Sequence, residues 1–235
     1  MKKYSIVIPC YNEEKNIPLI LDKFQKVINR DDIEILLINN GSQDQSKKVL
    51  NELVPQYPFA EAVEVEVNRG YGFGILYGLN QAKGDYLGWT HADMQTDPID
   101  VIKAIEIIQN NHSPTDIFVK GSRKNRPLVD QFFTGGMSMF ESVYLREKLQ
   151  DINAQPNIFH RSFLLEWENP PYDFSLDLYA LYMAKKRGLN IHRFNVIFPD
   201  RIHGQSSWNT GIAAKAKFIK RTLHFSSRLK KELGK

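Results

Sequence analysis

Cysteine is nearly missing from this chain, Cys10 being the only one. No disulfide can form within the molecule, and a zinc site built on thiolates is excluded. Long apolar runs are missing as well. No stretch reaches the roughly 18 apolar residues that a membrane-spanning helix requires. The opening MKKYSIVIPCYNEEKN holds an apolar run too short for a secretory signal. The expected location is therefore the cytoplasm, with an approach to the inner face of a membrane left open. Internal repeats and low-complexity tracts are also lacking, so a disordered or collagen-like chain is not expected.

What is present suffices for one substantial hydrophobic core: 235 residues, 42% apolar and 11% aromatic. Charge is unevenly placed. The net charge is +4, yet residues 211–235 carry eight basic side chains against Glu232 alone, net +7, which leaves residues 1–210 at −3. The expected organisation is a mildly acidic α/β body over 1–210 and a basic amphipathic helix over 211–235. Ile212, Ala216, Ile219, Leu223 and Phe225 fall near one side of that helix, with Lys217, Lys220, Arg221 and Arg228 along its flanks. Such a helix suits an anionic membrane surface, each basic residue adding about 1 kcal/mol there. The alternative is a solvated helix packed on the body by its apolar face. Nucleic acid is not an expected partner, because only Phe218 and Phe225 lie among the basic residues.

The first half alternates strand-like runs with helical periodicity. YSIVI (4–8), IEILLI (33–38), AVEVEV (62–67), GDYLGW (84–89) and IFVKGS (117–122) read as strands. Between them, apolar residues recur at helical spacing, as in Ile17, Ile20, Leu21 and Phe24. Ser42 is the expected cap of the second helix, and Asp97 followed by Pro98 marks the start of a later one. Beyond 130 the pattern is less regular, with helices expected over 131–149 and 175–187, a loop over 151–157 and a last strand near 191–198. The alternation predicts a mostly parallel sheet with helices on both faces. Ligands gather outside the carboxyl ends of such strands. Pro9 to Asn12, Asn39 to Asp44 and His91 to Asp93 all fall there and are expected to converge.

Each of these clusters has two readings. Asp93, at the tip of a buried strand, can stabilise its loop or bind a hard cation that holds a phosphate. His91 can share that cation, since imidazole suits manganese better than magnesium, or bond to backbone. The NNGSQD turn can be a plain turn around Gly41, or Asn39 and Asn40 can offer amides to a base or sugar. NRGYGFG does not complete a G-x-G-x-x-G fingerprint. Arg69 is a solvated residue or a diphosphate contact.

In order along the chain, VIPCYNEEKNI, LLINNGSQD, NRGYGFGILYGLNQAKGDYLGWTHADMQTDP, KGSR and RIHGQSSW resemble the signatures of GT-A fold, family 2 glycosyltransferases. The likeness is to the polyprenyl-phosphate-sugar synthase branch typified by dolichyl-phosphate mannose synthase, and it spans residue 4 to about residue 210. The resemblance implies a nucleotide-sugar donor, a lipid-linked or glycan acceptor, a divalent cation (Mn²⁺ or Mg²⁺) and inversion at the transferred sugar. It implies that Pro9, Tyr11, Asn12 and Glu13 line the nucleotide pocket with Asn39 and Asn40. Asp93 matches the second acid of the D-x-D motif, with Ala92 and His91 before it. Asp151 and Arg201 match a loop acid and a late arginine that serve acceptor and diphosphate. Ser206, Ser207 and Trp208 match a segment that closes over bound donor.

Three family acids are replaced here, by Asn39, Asn40 and His91. That removes up to three negative charges, weakening attraction for a cation while lowering repulsion of a diphosphate. The expected chemistry is departure of a nucleoside diphosphate, stabilised by Asp93 through a cation and by Arg201. A hydroxyl acceptor would also need a base, Asp151 or Asp177, with Asp151 preferred. Two rivals stand beside this reading: a catalytically silent nucleotide-sugar or carbohydrate-binding protein, and a nucleotidyltransferase. PCYNEEKN does not resemble the glycine-rich loop and lysine that the latter needs.

Overall fold

The computed structural model describes residues 2–125, 128–199, 201–203 and 212–233. In chain order the elements are β1 (Tyr4–Cys10), α1 (Asn16–Val27), β2 (Ile33–Asn40), α2 (Ser46–Leu53), β3 (Ala60–Val65), α3 (Tyr71–Gln81), β4 (Tyr86–Trp89) and α4 (Pro98–Gln109). There follow β5 (Ile117–Lys124), α5 (Leu128–Leu145), β6 (Asn157–His160), α6 (Arg161–Leu164), α7 (Leu176–Lys186), β7 (Asn190–Ile197) and α8 (Ile212–Leu233). The strands form a seven-stranded sheet in the order β3-β2-β1-β4-β6-β5-β7.

β1, β2, β3 and β4 are mutually parallel, and β5 pairs in parallel with β7. Only β6 runs the other way, antiparallel to β4 and to β5. Two reversals leave β4 and β5 pointing in the same direction, so the carboxyl ends of β1, β2, β4, β5 and β7 share one rim. The mostly parallel α/β architecture expected from the sequence is thus what forms. The reversed strand was not foreseen: NIFH is too short to show a period, and it follows directly on a segment that reads as loop.

The period of two in the strands divides the core. Ile6, Ile8, Ile35 and Leu37 point to one face, where Ile17, Leu21, Phe24, Val101 and Ile105 of α1 and α4 cover them. Val7, Leu36, Ile38, Leu87 and Trp89 point to the other, against α3, α7 and part of α8. Each fully buried Leu, Ile or Phe contributes about 1.5–3 kcal/mol of hydrophobic stabilisation. Both faces being covered explains why β1 and β2 read as continuous apolar runs.

Smaller expectations differ. β3 lies at an edge over Ala60–Val65, two residues before the range read from its alternation, because its register pairs Ile35 with Ala60 and Asn40 with Val65. The middle helix spans Leu128–Leu145 rather than 131–149. Asp97 does cap α4, accepting from Ile99 N at 3.0 Å. Ser42 does not cap α2; its hydroxyl accepts instead from Asn12 N at 3.1 Å.

Candidate functional site

The loops after β1 and β2 are sewn together by side chain to backbone hydrogen bonds. Asn12, in the left-handed region at φ 57°, accepts from Gln43 N at 2.8 Å. Glu13 N donates to Ser46 Oγ at 2.8 Å, and Gln45 N to Glu14 Oε2 at 2.9 Å. Asn39 Oδ1 accepts from Ser42 N at 3.2 Å, which closes the turn after β2. Gly41, at φ 69°, lets the chain after β3 approach: a Cβ there would lie 2.4 Å from Asn68 N. Asn40 is buried and its amide donates to Gly70 O at 2.9 Å, which ties the end of β2 to the start of α3. Its Oδ1 is buried without a hydrogen-bond partner. Tyr11 is exposed at the same rim, and the Arg69 guanidinium lies 5.3 Å from the Phe73 ring centre.

The end of β4 contributes Thr90, His91, Ala92 and Asp93. Asp93 is 7% exposed. Its Oδ1 accepts from Gln95 N at 3.1 Å, while Oδ2 receives Arg201 Nη2 at 2.8 Å. Arg201 Nε also donates to Gln95 Oε1 at 3.0 Å, and Gln95 Nε2 to Pro199 O at 3.0 Å. The chain following β7 is therefore docked on the β4 loop, bringing together an acid and an arginine 108 positions apart. Glu13 joins this group: burial pushes its carboxyl up, the Asn16 hydrogen bond opposes that, the nearby Asp93 charge adds to the rise and Arg201 pulls it down. The His91 ring centre is 5.8 Å from that of Tyr71, which stacks on Phe174 at 4.7 Å.

Around β5 the polar groups are more deeply enclosed. Asp151, at φ 40°, accepts from Arg123 N at 2.7 Å and from its Nε at 2.8 Å and Nη2 at 2.5 Å. Burial alone would raise the Asp151 carboxyl, but the Arg123 charge and hydrogen bonds hold it below its ordinary value. Lys120 is fully buried and donates to Ala154 O at 2.7 Å and Asn157 Oδ1 at 2.6 Å. Burial brings its ammonium down to about 7, with the Asp177 charge opposing. Asp177, on α7, accepts from Trp89 Nε1 at 3.1 Å, Gln155 Nε2 at 2.7 Å and Asn157 Nδ2 at 3.2 Å.

The expected convergence of Asn12, Asn39, Asn40, Glu13, His91 and Asp93 at one rim is present, and Arg201 arrives there too. Ser206, Ser207 and Trp208 lie outside the described residues. Sequence reasoning gave no role to Gln95, Tyr71, Lys120, Arg123, Gln155 or Asn157, although the KGSR motif holds Lys120 and Arg123. For Lys120 the signal was available, a lysine inside the buried run IFVKGS; for the others the contacts are long-range.

Among the described residues, no three His, Cys, Asp or Glu side chains gather into a ready cage. Ions of the Mg²⁺ and Mn²⁺ kind are nevertheless held in phosphate-transfer sites by one or two carboxylates, with substrate phosphates and water completing the shell. Asp93, a carboxylate at the rim with His91 two residues before it, fits that donor set once Arg201 leaves its Oδ2.

Comparison with known proteins agrees with this geometry. The model of the family described as "Glycosyl transferase family 2" matches residues 5–165. An undecaprenyl-phosphate 4-deoxy-4-formamido-L-arabinose transferase of Photorhabdus laumondii is 31% identical over 116 residues, 48% of this chain and 35% of that protein. The transferase of the same name from Proteus mirabilis is 31% identical over 130 residues, 54% and 38% of the two chains. The chain thus spans little more than a third of the length of these curated relatives. Among solved structures, glucosyl-3-phosphoglycerate synthase of Mycobacterium tuberculosis with Mn²⁺, UDP and glucosyl-3-phosphoglycerate superposes with a TM-score of 0.73 at 18% identity, covering 96% of this chain and 80% of the other. The same enzyme with Mg²⁺ and UDP gives 0.71 at 16% identity, covering 96% and 79%.

Proposed function

Because the chain belongs to glycosyl transferase family 2, we propose that it moves a sugar from a nucleoside-diphosphate-sugar to a membrane-associated acceptor, a lipid phosphate or a polysaccharide precursor. The observation that carries this reading is the meeting of four loops, after β1, β2, β4 and β7, around Asp93 and Arg201. Pro9, Tyr11, Asn12, Glu13, Asn39 and Asn40 form the wall for base and ribose. Arg69 and Ala92 border the diphosphate.

Asp93 and His91 would hold a divalent cation, Mn²⁺ or Mg²⁺, which when bound neutralises charge on the diphosphate. Arg201 exchanges its contact with Asp93 for the phosphate oxygens, to which a guanidinium offers paired donors. Its charge then opposes the negative charge that grows on the departing nucleoside diphosphate. A phosphate acceptor needs no strong base, and Asp151, held ionised by three hydrogen bonds from Arg123, fixes its loop beside the site. Direct displacement from the opposite side inverts the sugar carbon. The basic residues of α8 suit an anionic membrane surface, and the proposed location is its inner face.

Incubating the protein with UDP-, GDP- and dTDP-sugars, Mn²⁺ or Mg²⁺ and a polyprenyl phosphate in vesicles tests the reading, with a sugar-bearing lipid as the expected product. A second reading, a silent nucleotide-sugar-binding protein, is favoured by the neutral Asn39, Asn40 and His91 and by Arg201 occupying Asp93. Donor binding without product across the panel would select it.

A further inference from the structure

α8 uses its own apolar residues for packing. Phe225 and Leu229 are buried in the core between α7 and α5, and Ser226 Oγ donates to the buried Glu141 Oε2 on α5 at 2.6 Å. They are therefore not available to a bilayer. α5 has the opposite disposition. Gly135, Gly136, Met139, Phe140 and Val143 recur at spacings of three and four and form one outward stripe. Met139 and Val143 are each 72% exposed and Phe140 is 41% exposed. Nothing lies within 4 Å of where a Cβ on Gly135 or Gly136 would be. Glu141 is the only acid among the described side chains of α5, and it faces inward.

A cation edges this stripe. Lys230 Nζ of α8 lies 4.4 Å from the centre of the Tyr144 ring, which stacks on Phe140 at 5.6 Å. Lys220, Arg228, Lys230 and Lys231 are exposed on α8, where Glu232 is the only acid. We propose that the α5 stripe, with Lys230 at its edge and the other exposed cations on the same neighbouring helix, is the protein's docking surface for an anionic lipid bilayer. α5 supplies the apolar area that enters the headgroup boundary, and α8 supplies the charge. A second copy of the chain is disfavoured as occupant, because a two-fold contact across α5 would bring two sets of α8 cations together. The surface also borders the candidate site: Arg221 of α8 lies 5.2 Å from the Phe174 ring, which stacks on Tyr71 beside His91. This inference rests on the membrane-acceptor reading, but its test needs no turnover.

The full chain is sedimented with vesicles of phosphatidylcholine, with and without about 30% phosphatidylglycerol. Binding is expected only to the anionic vesicles. Replacing both Met139→Ser and Val143→Ser is expected to weaken it about tenfold, and Lys230→Glu with Lys231→Glu to weaken it similarly while flattening its salt dependence. Failure of the unaltered chain to sediment, or unchanged binding by either double variant, overturns the proposal. So does a fall in oligomer mass for the α5 variant at constant vesicle binding, which would assign the stripe to a second copy. Transfer to a water-soluble acceptor phosphate separates the two readings: if the α5 variant keeps it and loses vesicle binding, docking is supported. If no variant or parent transfers sugar, the transferase reading fails while sedimentation still reports on docking.

Discussion

Two aspartate–arginine pairs stand at the same rim and are built differently. Asp93 and Arg201 meet through one 2.8 Å contact between loops, and the arginine side chain keeps 28% of its surface open. Arg123 and Asp151 share three hydrogen bonds, one from the backbone, and the arginine side chain is only 8% exposed. A partly open single contact contributes little to stability and exchanges readily for a better anion. An enclosed multiple contact fixes geometry, and breaking it strands a charge. The first pair is therefore suited to handle a substrate, and the second to hold a loop.

The sharpest way to break this comparison is to remove one arginine from each pair. Arg201→Met is expected to lower transfer about 10²–10³-fold, by loss of a group opposing charge in the transition state. Its effect on stability should be smaller than that of Arg123→Met, because one contact with the paired aspartate is lost rather than three. Arg123→Met should do the reverse in kind, costing about 3 kcal/mol in denaturant unfolding because Asp151 is left unpaired. Equal stability losses in the two variants would erase the distinction.

Next in size is a pH effect in the enclosed half. The Lys120 ammonium titrates near 7, below its unfolded value. Between about 7 and 10 the unfolded chain therefore binds more protons at this site, so stability rises with pH there, by on the order of 4 kcal/mol. Below 7 both states are protonated and the full cost of burying the charge applies. Unfolding measured across this range should show the rise, and Lys120→Met should remove it.

The smallest effect concerns the missing acids. His91→Asp restores one carboxylate beside Asp93 and should tighten the cation about tenfold while shifting preference from Mn²⁺ toward Mg²⁺. Direct metal titration in the presence of UDP reads both changes.

Much of the parallel half was legible in the sequence. Apolar runs at 4–8 and 33–38, the Asp97-Pro98 start of α4 and glycine in the NNGSQD turn are local signals, and each depends on neighbours a few positions away. From them the convergence of Asn12, Asn40 and Asp93 follows by topology alone. The enclosed half was not legible for the complementary reason. Asp151 reads as a free loop acid until Arg123 is seen on it, and Asp177 as a possible base until Trp89, Gln155 and Asn157 are seen donating to it. Those contacts join residues 20 to 88 positions apart, and no periodicity encodes them. For the tail, a membrane-lying helix and one packed on the body were both legible, and the second forms, with Phe225 and Leu229 spent on α5 and α7.

The central claim, that Asp93 grips a cation against a sugar nucleotide's phosphates, is most directly tested by cation-dependent release of nucleoside diphosphate from the matching donor, compared between the parent chain and Asp93→Asn. Release that needs Mn²⁺ or Mg²⁺ in the parent and disappears in the variant is the expected result. Release that proceeds equally in the variant, or equally with the cation chelated away, would contradict it.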